Sequence, residues 1–242
     1  MPNEDYEAYI QAPCAGLFLS GPYRHKKAGR FLLKIPSCLS AADGGARHLL
    51  ALGLSPASIT GDLDSLSPEL QEQARTLGIP AEKYPREKDE TDGQLAVEKL
   101  IREGYKTIIL FAAFGGQRED HALSMLNFCL EKRKAEGLRF IFTDGESVIF
   151  PLSGPERLKI NSEDYFSQKD FPDLRISGVP LTAVRGLTLD GLKYEVSGLD
   201  LPAGTTRLVS NEPAASGRFS VTFESGDLIL FMLKEEKPSS EG

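Results

Sequence analysis

Short apolar runs alternate with helix-forming segments through the first 143 residues, and turns rich in glycine or acidic residues lie between them. Runs of this kind, bounded by turn residues, are typical of buried strands, and they occur at 15–20, 37–42, 106–112 and 138–143. Helices are predicted at 46–52, 68–77, 95–101 and beyond residue 121. The repetition of strand, turn and helix predicts a parallel sheet with helices on its faces. Such sheets bind their ligands beyond the carboxyl ends of the strands.

The sequence changes in character after about residue 150. Helical periodicity fades, and short β-rich runs appear at 187–189, 192–196, 206–210, 218–224 and 227–233. Runs of this length with turn residues between them predict a small sandwich or barrel. The predicted fold class is therefore α/β, with a Rossmann-like α/β/α parallel-sheet domain over residues 1–150 and a β-sandwich domain over residues 151–242.

The net charge of the chain is −7, from 28 Lys and Arg against 35 Asp and Glu. This balance offers no general basic surface, so neither nucleic acid nor a membrane is expected as a partner. Cys14, Cys38 and Cys129 lack the spacing of a metal site, and no apolar run approaches the ~20 residues that span a bilayer. Because the N-terminus is acidic, unlike that of a signal peptide, the expected location is the cytoplasm.

Four turns carry the candidate chemistry: Asp43-Gly44-Gly45, Gly61–Ser65, Lys88–Asp92 and Gly115–His121. Within the second turn, Asp62 and Asp64 are one residue apart, and carboxylates this close repel each other unless a cation compensates their charge. Magnesium prefers carboxylate oxygens together with substrate phosphates, so the candidate ligands are Asp62, Asp64, Asp89 and Asp92. Helix N-capping is the alternative for each of them, because Asp is a good cap and a helix follows these turns.

Glycines and cations in the same turns suit a phosphate. Asp43-Gly44-Gly45 and Gly115-Gly116 each precede a helix, where unpaired N–H groups favour an anion. Lys88 and Arg118 suit either phosphate contacts or local salt bridges, and Asp120 with His121 suits either an acid–base pair or a capping role. A Walker A loop, a dinucleotide fingerprint and a Gly-x-Ser-x-Gly elbow are all missing from the sequence.

Taken together and in this order, the segments ADGGA, GDLDS, KDETD and GGQREDH resemble the signature motifs of the thiamine pyrophosphokinase family. The similarity extends more loosely to Val209-Ser210-Asn211-Glu212 and to the Gly-Leu-Lys-Tyr segment at 191–194. It implies a nucleotide-binding catalytic domain followed by a β-sandwich that binds thiamine and dimerises. The implied reaction moves the β,γ-pyrophosphate of ATP to the thiamine hydroxyl with Mg²⁺, leaving AMP, in active sites shared between the subunits of a homodimer.

The resemblance also implies roles for individual residues. Asp62, Asp64 and Asp92 match the magnesium-site aspartates and, with Asp120, make up the predicted catalytic set. Asp89 is close to the magnesium-site aspartates and is expected to contribute to the same binding site. ATP contacts are implied for Asp43, Gly44, Gly45, Lys88, Thr91, Gly115, Gly116 and Arg118. Asp120 and His121 match the end of the motif near the acceptor, and Ser210 and Asn211 match the thiamine-side segment. The proton of the thiamine hydroxyl is assigned to Asp92 or Asp120, with the choice between base and metal ligand left open.

Two features depart from the family pattern. Gln117 is inserted before Arg118, and the chain contains no Trp on which thiamine could stack, so that Leu230, Phe231 or another apolar side chain is the expected contact. Two alternative functions explain fewer of the motifs. In the first, the chain is a non-catalytic nucleotide-sensing protein. In the second, Asp62 and Asp64 are the metal-binding pair of a nucleotide-sugar transferase.

Overall fold

In a computed structural model of the chain, the described residues are 9–24, 32–61, 66–82 and 89–235. They form two compact units, of which the first spans Ile10–Gly145 and the second comprises Tyr9 and residues 146–235. Three of the predicted site residues, Asp62, Asp64 and Lys88, lie outside the described residues.

The first unit is built on a parallel sheet. Its strands are β1 (Cys14–Phe18), β2 (Cys38–Ala42), β3 (Ile59–Thr60), β4 (Ala81–Glu82), β5 (Thr107–Phe111) and β6 (Arg139–Thr143). They lie in the order β4-β3-β2-β1-β5-β6, and each neighbouring pair is parallel. Every residue of β1 and β5 is buried, as expected of central strands that are covered on both faces.

Helices connect these strands: α1 (Ala46–Ala51), α2 (Pro68–Thr76), α3 (Asp92–Arg102) and α4 (Glu119–Glu136). Their ends follow the local sequence. The Ser67 hydroxyl caps α2 with Pro68 at the first helical position, and α4 ends at Gly137, whose φ of 70° is the left-handed conformation that favours glycine.

The order of the strands reverses direction beside β1. The chain places β2, β3 and β4 in turn on one side of β1, and then places β5 and β6 on its other side. The carboxyl ends of β1 and β5 therefore form a topological switch point, where open α/β sheets bind their ligands.

The second unit is antiparallel. One sheet has the order β7-β13-β9 and the other has the order β11-β10-β12-β8. Leu189 of the second sheet and Leu228 and Leu230 of the first line one small apolar cavity, so the two sheets face each other across a shared core. The strands are β7 (Val148–Ser153), β8 (Glu156–Asn161), β9 (Leu174–Pro180), β10 (Val184–Asp190), β11 (Val196–Leu201), β12 (Arg218–Phe223) and β13 (Asp227–Lys234).

The predicted α/β fold class is confirmed, and two of the predicted strands are wrong. Residues 206–210 form a turn in which the Val209 N–H donates to the Thr206 carbonyl. Residues 192–195 form a loop before β11 begins at Val196. Both segments are rich in β-forming residues, but strand preference depends on the neighbours with which a segment pairs. Within the described ranges, no helix combines the length and the apolar character needed to cross a membrane.

Candidate active site

A cavity of about 520 Å³ lies at the switch point, beyond the carboxyl ends of β1, β2 and β5. Its walls come from the turns after these strands and from the first residues of α3 and α4. Six of the predicted site residues line it: Asp43, Thr91, Asp92, Gly116, Arg118 and His121. Three motifs that are distant in the sequence therefore meet at one place.

Asp43 links the ends of two neighbouring strands. It follows β2 directly and adopts a positive φ of 46°, which Asp tolerates better than most residues. Its carboxylate lies against Gly61, the residue after β3. A Cβ at Gly61 would come 2.0 Å from Asp43 Oδ1, and the φ of Gly61 is 119°, so only glycine fits. In the sequence, Asp62 and Asp64 follow Gly61 immediately.

The next two residues are glycines, and the second of them allows close packing. Gly44 and Gly45 are buried in the 3-10 turn that joins β2 to α1. A Cβ at Gly45 would lie 2.1 Å from the Phe18 carbonyl oxygen at the end of β1. Unlike Asp43, neither glycine lines the cavity, and Gly45 has the role of bringing the turn against β1.

At the start of α3, helix capping and lining of the cavity belong to different residues, which the sequence could not decide. Thr91 is the N-cap, and its hydroxyl accepts a hydrogen bond of 3.2 Å from the Gln94 N–H. Asp92 is the first helical residue and lines the cavity, so helix capping does not account for it. Asp89 is exposed and is not among the lining residues.

At the start of α4, Arg118, Asp120 and His121 form a cluster. Arg118 donates two hydrogen bonds to the Asp120 carboxylate, of 3.0 Å from Nε and 2.9 Å from Nη2, and its Nη2 also contacts His121 Nε2. These hydrogen bonds from Arg118 lower the pKa of Asp120 to about 2. Arg118 and His121 line the cavity, whereas Asp120 is not among its lining residues.

Gly115, Gly116 and Gln117 lead into this cluster. Gly115 has a φ of 80° and lies beside Pro22, whereas Gly116 and the inserted Gln117 both line the cavity. The insertion therefore adds a polar side chain to the wall and leaves Arg118 at the cavity.

Ser210 and Asn211 lie in the second unit, where their hydrogen bonds are structural. Ser210 has a positive φ of 63°, and its N–H donates to Ser177 Oγ at 3.0 Å. The buried Asn211 amide holds the backbone of Tyr194 from both sides: Oδ1 accepts from the Tyr194 N–H at 3.0 Å, and Nδ2 donates to the Tyr194 carbonyl at 2.8 Å. The segments at 191–194 and 209–212, which match the family more loosely, are thus joined by hydrogen bonds into one assembly.

This assembly presents an aromatic ring that sequence reasoning did not select. The Tyr194 side chain is 61% exposed, and Lys193 Nζ lies 5.5 Å from the centre of its ring. Leu230, by contrast, is 2% exposed and packs inside the sandwich, so it offers no surface to thiamine. The Gly-Leu-Lys-Tyr segment contains Tyr194, so the sequence did carry a signal for this residue. The contact that holds Tyr194 in place comes from Asn211, which is distant in the sequence and could not be predicted from it.

Sequence reasoning also missed the turn after β1. Leu19, Ser20 and Gly21 line the cavity, together with Met125 from α4. None of these residues carries a charge, so no motif singled them out. The only signal for the turn was its position at the end of the predicted strand 15–20.

The carboxylates of the site bear on whether it can hold a metal ion. Over the described ranges, no group of three or more His, Cys, Asp and Glu residues is close enough to hold one. Asp43 and Asp92 nevertheless line the same cavity, and both offer the oxygen ligands that Mg²⁺ prefers. A magnesium ion held by one or two carboxylates and by phosphate oxygens fits this part of the site.

A parallel α/β sheet with carboxylates and an arginine around a switch-point cavity is typical of one class of protein, the α/β proteins that bind phosphate-bearing ligands. Comparison with known families narrows this class. Residues 31–141 match the catalytic domain of thiamin pyrophosphokinase, and residues 173–228 match the vitamin B1 binding domain of thiamin pyrophosphokinase. The chain belongs to the thiamin pyrophosphokinase family, and both the predicted family and the predicted enzyme activity are confirmed.

Individual relatives agree with this assignment. The thiamine pyrophosphokinase of Bacillus subtilis strain 168 is 28% identical over 190 residues, which are 78% of this chain and 83% of the relative. A crystal structure of thiamine pyrophosphokinase from Bacillus subtilis has a TM-score of 0.77 at 22% identity, over 93% of this chain and 100% of that one. A thiamin pyrophosphokinase structure from Candida albicans has a TM-score of 0.76 at 17% identity, over 93% of this chain and 90% of that one. These two structures show that the fold is shared. None of these comparisons supports the two alternative functions, a non-catalytic nucleotide-sensing protein and a nucleotide-sugar transferase.

Proposed function

We propose that this thiamine pyrophosphokinase uses Mg-ATP as its donor and binds it in the switch-point cavity. The observation that carries the proposal is the convergence of Asp43, Asp92 and Arg118 on that cavity from three separate motifs. Arg118 supplies a cation for phosphate oxygens, and the two carboxylates supply oxygen ligands for a divalent metal.

The proposed reaction is an in-line displacement at phosphorus. The oxygen of the thiamine hydroxyl forms a bond to the β-phosphorus of ATP, and the bond between that phosphorus and the oxygen of the α-phosphate breaks. The products are thiamine diphosphate and AMP, and a carboxylate of the site, Asp92 or Asp120, accepts the hydroxyl proton. Asp62, Asp64 and Asp92 would hold the Mg²⁺, which when bound offsets charge on the phosphate oxygens.

We propose that the acceptor, thiamine, binds at the segment of the second unit whose backbone Asn211 holds, residues 191–194. Thiamine carries two flat aromatic rings, of which the thiazolium is cationic, and the exposed Tyr194 ring suits stacking with either. The resemblance supports a homodimer in which this segment belongs to the second copy of the chain. The three cysteines are free thiols, which supports a reducing compartment such as the cytoplasm.

Separation of the nucleotide products tests the proposal. Wild-type protein incubated with Mg-ATP should form AMP only when thiamine is added, and a metal chelator should abolish turnover. Asp92→Asn should lower kcat by about 10²- to 10³-fold, the effect of losing one group that stabilises charge in the transition state. Glu98→Gln, six residues further along the same helix, is the matched control and should retain activity. Formation of ADP or free phosphate, or full activity in Asp92→Asn, would contradict the proposal.

A further inference from the structure

The turn after β1 is held by two consecutive residues of α1. His48 Nε2 lies 2.8 Å from the Gly21 carbonyl oxygen. Arg47 Nη2 contacts the Ser20 carbonyl oxygen and lies 3.4 Å from that of Gly21. Since a carbonyl oxygen only accepts hydrogen bonds, Nε2 of His48 must carry a proton. Both carbonyls of the turn are therefore paired with donors on α1.

His48 is fixed in place by its surroundings. Its side chain is buried, with 8% of the residue exposed, and the centre of its ring lies 6.1 Å from that of Phe18 and 5.9 Å from that of Tyr23. A buried imidazole between two aromatic rings has little freedom to move, so the donor that faces Gly21 is preorganised. Arg47, in contrast, is exposed and adds a positive charge beside the same turn.

The turn is anchored on its other side by β5. The Gly21 N–H donates to the Ala112 carbonyl at 2.9 Å, and a Cβ at Gly21 would lie 2.3 Å from that oxygen. The turn is thus held between α1 and the end of β5. Ser20 and Gly21 line the cavity, whereas His48 and Arg47 do not.

This arrangement has an electrostatic consequence for an anionic ligand. A carbonyl oxygen carries partial negative charge and repels a polyphosphate when it faces one. Here the charge on both oxygens is compensated by donors on α1, one of which is a guanidinium. The wall that Ser20 and Gly21 form therefore carries less uncompensated negative charge near the cavity.

We propose that His48 and Arg47 are positioning residues for ATP, which act by holding the Ser20–Gly21 turn and without touching the nucleotide. The inference rests on the proposed function, because it takes ATP to be the ligand of the cavity. It predicts that loss of the His48 hydrogen bond weakens ATP binding and leaves thiamine binding unchanged.

The test compares steady-state constants and thermal unfolding in matched variants. His48→Leu removes the donor and keeps an apolar side chain, and it should raise the KM for ATP by about five- to tenfold, the value of one hydrogen bond. His48→Gln should restore most of the wild-type KM, because its amide nitrogen can replace Nε2. Thr107→Val is the control: it removes two part-buried hydrogen bonds with the Gln11 backbone at the opposite end of the sheet, one of 2.9 Å from Thr107 Oγ1 to the Gln11 carbonyl and one of 2.8 Å from the Gln11 N–H to Thr107 Oγ1. It should lower the unfolding temperature without changing the KM for ATP.

The outcomes separate this inference from the proposed function. A His48→Leu variant that loses thermal stability as Thr107→Val does, but keeps the wild-type KM for ATP, overturns the positioning role alone. Should His48→Leu fail to fold, the exposed Arg47 provides a second variant, and Arg47→Met with a wild-type KM for ATP overturns the inference equally. A wild-type chain that neither binds Mg-ATP nor forms AMP from it overturns both proposals.

Discussion

Among the single residues of the site, Arg118 and Asp120 each stabilise the charged form of the other. The hydrogen bonds from Arg118 lower the pKa of Asp120 to about 2 from an ordinary value of 3.8. Asp120 is therefore ionised near neutral pH and is a weak proton acceptor there, because an efficient general base has a pKa near the operating pH. While this pair is intact, Asp92 is the better placed of the two candidate bases, since it lines the cavity.

We expect Arg118 to leave Asp120 when the phosphates of ATP bind, because a polyphosphate offers more negative charge than one carboxylate. The pKa of Asp120, followed by carbon-13 NMR of its carboxyl group, should then rise from about 2 towards 3.8 or above. Ligand-free Arg118→Met should show a similar rise. Because the folded-state pKa is lowered, the stability that this pair adds is present above pH 3.8 and is lost as the pH falls to about 2.

Asp200 provides the control for this experiment. Its pKa is also lowered, first by the hydrogen bond from the Gly186 N–H and then by Arg185, whose Nη1 lies 2.7 Å away. This carboxylate belongs to the second unit, so its pKa should not respond to ATP. An Asp120 pKa that ATP leaves unchanged would show that Arg118 does not transfer to the phosphates.

Among the elements, the turn from β2 to α1 is the one whose geometry most restricts substitution. Gly45→Ala would place its Cβ 2.1 Å from the Phe18 carbonyl oxygen, which is backbone and cannot rotate away. The turn or the end of β1 must then shift. We expect the free energy of unfolding to fall by about 1–3 kcal/mol, as for other overpacked sites, and the KM for ATP to rise because Asp43 moves with the turn. Urea unfolding and steady-state kinetics measure the two effects.

A control in the adjoining helix α1 separates a loss of stability from a displacement of Asp43. Ala51→Gly, at the exposed end of α1, should cost up to about 1 kcal/mol through helix propensity alone and leave the KM for ATP unchanged. If Gly45→Ala and Ala51→Gly behave alike in both measurements, the close packing of Gly45 against β1 has no role in placing Asp43.

The sequence predicted those elements whose stability is decided locally. Uninterrupted apolar runs such as Ile108–Phe111 are buried strands, and Pro68 opens a helix as its position predicted. Segments whose partners are distant were misjudged. Residues 206–210 have the composition of a strand, but the Leu208 carbonyl accepts from the Gly178 N–H and the segment turns along β9. No local pattern contains that partner.

At the scale of the whole molecule, the site also divides into residues that local sequence identifies and residues whose role depends on distant partners. The motifs with charged residues were placed at strand ends from sequence, and the carboxyl-end rule brought Asp43, Asp92 and Arg118 to one cavity. The uncharged turn at Ser20 and Gly21 was missed, because its contribution depends on which strands are neighbours. Tyr194 was missed because Asn211, which holds it, is 17 residues away.

The proposed homodimer with shared sites can be tested by complementation between two variants. Asp92→Asn impairs the nucleotide cavity, and Tyr194→Ala should raise the KM for thiamine by about tenfold, the cost of losing one stacking contact. If each site joins the cavity of one subunit to the Tyr194 segment of the other, a mixed dimer has one intact site and one doubly altered site. Purified through two different tags and assayed at low thiamine, it should show about half of the wild-type activity per dimer. If both parts of the site come from one chain, every site in the mixed dimer carries one substitution and the activity stays between those of the two variants.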